Sequence, residues 1–137
     1  MMTLDEVKKK YPNSKTFTLG DNEALCQELL ALVKSGKKTG TCEDVRQYKN
    51  SPDEMAVVGR KDIALNWDGT PALVIETMEV NHRRFCDVDE EFALSEGEDD
   101  TLEGWQASHQ RYFERNLGFF PEMELVCERF RVVEKFE

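Results

Sequence analysis

The stretch Leu29-Leu30-Ala31-Leu32-Val33-Lys34-Ser35-Gly36-Lys37-Lys38-Thr39-Gly40-Thr41 runs from a helical pattern into a turn carrying two lysines and two threonines. Reading back from it, apolar residues fall at Leu25, Leu29, Leu32 and Val33. That is the i, i+4, i+7, i+8 stripe of a helix packed on a core. Asp21 is placed to cap it, and Glu23 puts negative charge in the first turn, where the helix dipole favours it. The spacing predicts a helix over 22–35, with Gly36 as the left-handed residue just past its end. Lys37, Lys38, Thr39 and Thr41 therefore emerge at an element boundary, where functional side chains are commonly held. A phosphate-binding P-loop does not fit: Ala31 stands where its first glycine belongs, the lysine-to-threonine spacing is off by one, and the segment follows a helix instead of opening one. In local terms the segment is a helix C-cap whose lysines offset the orphan carbonyls. A third reading depends on the rest of the chain.

Residues 3–10 pattern as a short helix capped by Thr3 and ended by Tyr11-Pro12-Asn13. A strand is expected over 39–45 and a polar loop over 47–54. Two strand-like runs, 61–67 and 72–80, flank Asp68-Gly69-Thr70-Pro71, a turn with Gly supplying a positive φ. Helices are expected over 88–96, burying Phe92 and Ala93, and over 101–116. The second places Leu102, Trp105, His109, Tyr112 and Phe113 on one face. A last strand over 125–136 turns Val126, Phe130, Val132 and Phe136 inward. Few helices and several separated strands predict an α+β domain, a small β-barrel of about five or six strands with flanking helices. Glu76 and Arg129 are expected to pair across its wall.

A chain of 137 residues is long enough for one domain with its own core, residues 1–20 forming an N-terminal extension packed on it. The N-terminal segment is polar and has no apolar run of signal-peptide type, and no run approaches the ~20 residues that span a bilayer. The expected location is cytoplasmic, with no membrane partner. Cys26, Cys42, Cys86 and Cys127 are scattered without a C-x-x-C pair, as in a protein with reduced thiols and no structural zinc. The net charge of −10 is unevenly spread: residues 1–61 hold 11 Lys/Arg against 9 Asp/Glu, and residues 62–137 hold 7 against 19. A duplex-binding protein is basic over its binding face, so duplex DNA is not an expected partner.

Five ordered segments resemble the ASCH domain, a relative of the PUA fold. They are Gly36-x-Lys38-x-x-Thr41 after its helix; Ala72-Leu73-Val74-Ile75-Glu76-Thr77-Met78-Glu79-Val80; Asp89-Glu90-Glu91-Phe92-Ala93 with Glu96-Gly97; Trp105-x-x-x-His109-x-x-x-Phe113; and Val126-Cys127-Glu128-Arg129-Phe130-Arg131-Val132. The resemblance extends from about residue 16 to residue 133 and implies a small PUA-like barrel that handles RNA or nucleosides. In the branch that removes an acyl group from N4-acylated cytidine, the working residues correspond to Lys38, Thr41 and Glu96. Lys37 and Thr39 at the rim, His109 and Arg129 are the residues expected to contact substrate. The resemblance thus implies a nucleoside- or RNA-directed hydrolase, either an amidohydrolase or a ribonuclease. Its alternative is a non-catalytic RNA-binding module regulating translation or RNA metabolism. A third class is a regulatory module whose acidic half docks a basic protein. Cys42-Glu43 depart from the family pattern, standing where some relatives place a basic residue.

Amide hydrolysis needs a nucleophile, a proton acceptor and a site for the oxyanion. Thr41 as nucleophile with Lys38 as base demands a neutral lysine, and a carboxylate at Glu96 would oppose that. If the two touch, the expectation is that Lys38 stabilises the oxyanion and Glu96 activates water or shuttles the proton. Gly40 is expected to permit a bulge that brings Lys38 and Thr41 together. Trp105 and Tyr112 at helical spacing read as core before they read as base-stacking residues. His82, Cys86 and Asp87 lack the spacing of a known metal site, so no metal or cofactor is expected. Beyond Glu96, the acidic run to Glu103 reads as a solvated loop and helix start.

Overall fold

The computed structural model describes residues 2–136. In chain order they form α1 (Leu4–Lys10), β1 (Thr16–Phe17), α2 (Glu23–Lys34), β2 (Gly40–Asp44), β3 (Lys61–Leu65), β4 (Pro71–Arg84), α3 (Glu90–Ser95), α4 (Leu102–Glu114) and β5 (Glu124–Lys135). The expected polar loop after β2 is wound into two short 3-10 turns, Val45–Tyr48 and Pro52–Glu54. The caps follow the side-chain chemistry. Thr3 and Glu6 form a capping box on α1, Asp89 accepts from the Phe92 amide, and Thr101 accepts from the Gly104 amide. On α2 the cap is Asn22, not Asp21: Asn22 accepts from the Leu25 amide at 2.9 Å, while Asp21 receives the Arg115 guanidinium at 2.7 Å.

One mixed sheet runs in the order β1-β3-β4-β5-β2, antiparallel except for β1 against β3. The strand number matches the expected barrel, but closure does not occur. β1 is only two residues long and its pairing is taken up by Ile63 and Ala64 of β3. Instead of a ladder between the two edge strands, side chains of β1 (Thr16, Phe17) and β2 (Thr41, Glu43) line a cavity of about 40 Å³.

The apolar stripe of α2 (Cys26, Leu29, Leu30, Val33) packs on Leu73, Ile75 and Phe130 of one sheet face. Each fully buried Leu or Val there is worth roughly 1.5–3 kcal/mol of transfer free energy. On the other face α1 buries Val7 against Ile63 and Val74, while α3 and α4 cover Leu125 and Cys127 with Phe92, Trp105 and Phe113. Strand alternation sorts β2 accordingly: Cys42 joins the α3–α4 cluster, and Thr41 and Glu43 turn to the opposite face. A cleft between α2 and α4 is lined by Leu25 and Leu29 of α2, Thr41, Cys42 and Glu43 of β2, and Ser108, His109 and Tyr112 of α4. The expected pair of Glu76 with Arg129 does not form. Arg131, not Arg129, reaches Glu76 at 2.6 Å, because Arg131 is the residue in register with it. All four cysteines are free thiols. No helix among the described residues is long and apolar enough to cross a membrane.

Candidate functional site

Lys38 reaches the interior because the chain makes two tight passes around it. After α2, Gly36 takes φ +83°, and the amides of Lys37 and Lys38 both bond the Leu32 carbonyl at 3.0 Å. The Thr39 amide then bonds the carbonyl of Ser95 at the end of α3, at 2.8 Å. Gly97 is the second pass. It has φ +75°, and a side chain there would lie 2.6 Å from the Lys37 carbonyl oxygen, so only glycine lets the end of α3 close on the lysine backbone. Gly40 makes no bulge: β2 keeps unbroken register with β5. Its missing side chain leaves room for α3 and β5, since a Cβ would lie 2.6 Å from Ser95 Oγ and 3.2 Å from the Glu128 carbonyl oxygen.

The result is a buried charge network. Lys38 is 1% exposed and donates to Glu96 Oε1 at 3.1 Å and to Glu98 Oε2 at 3.2 Å. Glu96, equally buried, accepts the Trp105 indole N–H at 2.8 Å on its other oxygen and has His109 Nε2 at 3.4 Å. His109 is fixed in turn: Nδ1 lies 2.9 Å from the Trp105 carbonyl, and its ring stacks on the indole at 4.3 Å. Trp105 itself is fully buried and stacked on Phe85 at 5.3 Å, so it belongs to the core, and it serves the site through its N–H on Glu96 and its carbonyl and ring on His109.

Burial pushes the Lys38 ammonium toward neutrality, but Glu96 and Glu98 outweigh it and hold the pKa above its ordinary value. Burial likewise favours a protonated Glu96; Lys38 and His109 reverse this and bring its pKa down to about 2. His109 is desolvated too, yet Glu96 raises its pKa. Glu98 goes the other way, raised by burial despite sharing Lys38. Glu43, on β2, is raised to about 7 by burial and by Glu96. Burial and the Glu43 charge bring Glu128, on β5, to about 8.

Lys38, Thr41, Glu96 and His109 open onto one cavity of about 250 Å³, together with Glu43, Glu98, Ser108 and Tyr112. Arg115, paired with Asp21 and lying 5.0 Å from the Tyr112 ring centre, sits at its border. The structure therefore brings together the three residues expected to do the chemistry and one of the four expected to contact substrate. Lys37 and Thr39 are exposed and outside this cavity, and Arg129 is turned to Glu91 at 3.1 Å.

Donor atoms of Cys42, Glu96 and His109 lie within 4.8 Å of one another. They do not make a convincing cation site. Both Glu96 oxygens are engaged, an ammonium already neutralises this carboxylate, and burial with the Glu96 charge keeps Cys42 a thiol. His82, far from this group in sequence, pairs with Glu124 instead.

A model of the ASCH domain family matches residues 15–134. The chain belongs to the ASCH domain family. Among solved structures it is similar to an ASCH domain from Lactobacillus crispatus JV V101, with 32% identity over 94% of this chain and 85% of that one, at a TM-score of 0.80. It is also similar to a protein from Enterococcus faecalis V583 assigned to family-model DUF984, with 34% identity over 89% and 77% of the two chains and a TM-score of 0.80. A hypothetical protein with 11% identity, covering 88% and 97% of the two chains at a TM-score of 0.58, shares the fold alone. No curated protein matches the chain.

Two residues of the ASCH cleft escaped the sequence reading. Glu98 is no solvated loop residue but the second partner of Lys38. Its position two residues beyond Glu96, across a glycine, was the available signal. Glu43 was visible only as a departure from the family pattern, and as an i+2 neighbour of Thr41 on a strand.

Proposed function

We propose that this ASCH domain is a hydrolase acting on nucleosides or RNA, with N4-acylated cytidine as the leading substrate class. The observation that supports it best is Lys38, Thr41 and Glu96 lining one small cleft, with the buried ammonium held in place by Glu96 and Glu98. A cavity of this size suits a nucleoside better than a folded RNA, and the half-buried Tyr112 ring offers a face for a base.

Lys38 stays protonated between two carboxylates, so it is a poor base and a good oxyanion stabiliser. Thr41 is then the nucleophile. Glu96 holds and orients Lys38 and has neither a free oxygen nor the basicity to move protons near neutral pH.

The test is a screen of N4-acylcytidines and short RNAs with wild type and Lys38→Ala. Release of cytidine by the wild type, lost by ~10²-fold or more in the variant, is the expected result. No turnover of any of them, with salt-dependent RNA affinity that Lys38→Ala leaves intact, overturns the hydrolase and leaves an RNA-binding module.

A further inference from the structure

With Lys38 and Glu96 locked as an ion pair, the proposed hydrolysis needs another group to take up and release a proton. From the geometry of the cleft we infer that Glu43 is that group, a catalytic residue that carries the proton between the nucleophile and the leaving nitrogen. This rests on the hydrolase reading above.

Glu43 follows Thr41 by two residues on β2, so both side chains leave the same face of the strand. Both line the 250 Å³ cleft, and both also line the adjoining 40 Å³ cavity, which has room for a water or two and offers Thr16, Tyr48 and Glu128 as polar partners. Side chains two residues apart on one strand face start ~7 Å apart, a span that a glutamate carboxylate and one water can bridge to a hydroxyl. Unlike Glu96 and Glu98, Glu43 has no cation within ion-pair distance among the described residues. Its neighbour Gln47 is a neutral donor. The groups facing it are Lys38 and Glu96 in the cleft, His109 and Tyr112 of α4, Tyr48 of the 3-10 turn, and Glu128 of β5. Glu128 shares its strand face, since Thr41 is in register with Glu128 and Glu43 with Val126. Burial and the nearby Glu96 charge favour an uncharged Glu43 and bring its pKa to about 7. A proton carrier works best near the ambient pH.

The steps balance. Thr41 Oγ1 bonds to the acyl carbon and its proton passes to the Glu43 carboxylate. The C–N bond breaks as Glu43 returns that proton to N4, releasing cytidine. A water then attacks the acyl-threonine carbon, gives its proton to Glu43, and the ester C–O bond breaks as the proton returns to Thr41 Oγ1, releasing the carboxylic acid. Glu43 must be ionised to begin, so the rate rises with pH through its titration.

The experiment follows N4-acetylcytidine hydrolysis from pH 5 to 9 by wild type, Glu43→Gln and Glu43→Asp, with thermal denaturation and cytidine binding measured on each. The expected result is a wild-type kcat/KM that climbs through pH ~7, a loss of ~10²-fold or more in Glu43→Gln with that limb abolished, and partial activity with a displaced limb in Glu43→Asp. Cytidine affinity should be unchanged in any variant that folds. Glu43→Gln turning over at the wild-type rate with the same limb overturns the assignment while leaving the hydrolase intact. Equal loss of cytidine binding also overturns it, in favour of a binding role. If Glu43→Gln does not fold, Glu43→Asp with an undisplaced limb serves as the refutation. A wild type that hydrolyses no N4-acylcytidine removes the acylcytidine reading and the proton-carrier role together.

Discussion

Two buried carboxylates of this domain each bond a cation, and they do different work. Asp62 accepts the Arg60 guanidinium at 2.8 Å and the Lys15 amide at 2.8 Å, while the remaining Arg60 nitrogens bond the carbonyls of Asp53, Glu54 and Met55. Every donor in that group ends on backbone or on its partner, and the result is a clamp on a loop. Glu96 and Lys38 are paired at 3.1 Å, but Lys38 has a second carboxylate in Glu98, Glu96 has His109, and the cluster opens onto a cavity. A buried ion pair by itself therefore says little about function. A surplus of titratable groups around it, facing space a ligand can fill, says much more.

The largest effect belongs to the residue that joins the network to the core. Trp105→Ala should lower stability by roughly 3–5 kcal/mol in denaturant unfolding, since it removes a fully buried ring and a donor to Glu96. A loss below 1 kcal/mol would mean the indole is not the anchor of the cluster.

Next comes the contrast between the two cations. Lys38→Ala, assayed well below its denaturation temperature, should lose at least ~10²-fold in hydrolytic rate. Arg60→Ala should show the reverse, costing about 2 kcal/mol because Asp62 is left with one donor, with its rate within ~3-fold of wild type. Comparable rate losses in both folded variants would erase the distinction.

Acid sharpens it further. The Glu96 pKa is depressed from the ordinary 4.5 to about 2, so its contribution to stability is complete above pH ~4.5 and fades as pH falls toward 2. About 2 kcal/mol should be lost across that window, and Glu96→Gln should flatten that part of the curve. No such flattening would place the acid sensitivity in other carboxylates.

The smallest effect has the opposite sign. Glu43 is raised to about 7, so folding favours its protonated form and its ionisation costs stability as pH rises from ~4.5 through 7. Glu43→Gln should denature a few degrees higher than wild type at pH 8, on the order of 1 kcal/mol, and at nearly the wild-type temperature at pH 5. A stabilisation that is the same at both pH values would show that charge is not its cause.

Much of the fold was legible because it is written in local periods. The α2 stripe, the Gly36 stop, the Asp68-Gly69 turn and the buried Phe92, Ala93, Trp105 and Phe113 all follow from spacing that neighbouring residues share. Asn22 replaced Asp21 as a cap because a residue 94 positions away claims the aspartate, which no local rule contains. The same holds for the cleft. The resemblance to the ASCH motifs supplied Lys38, Thr41 and Glu96 as candidates, and strand alternation alone puts Thr41 and Glu43 on one face. Only the tertiary structure decided that the sheet stays open, that Glu98 is a partner of Lys38, that Arg129 turns to Glu91, and that Lys38 is charged. Protonation and pairing depend on distances between groups remote in sequence and on how much water is excluded between them, and both are set when α2, α3 and α4 pack around the edge of β2.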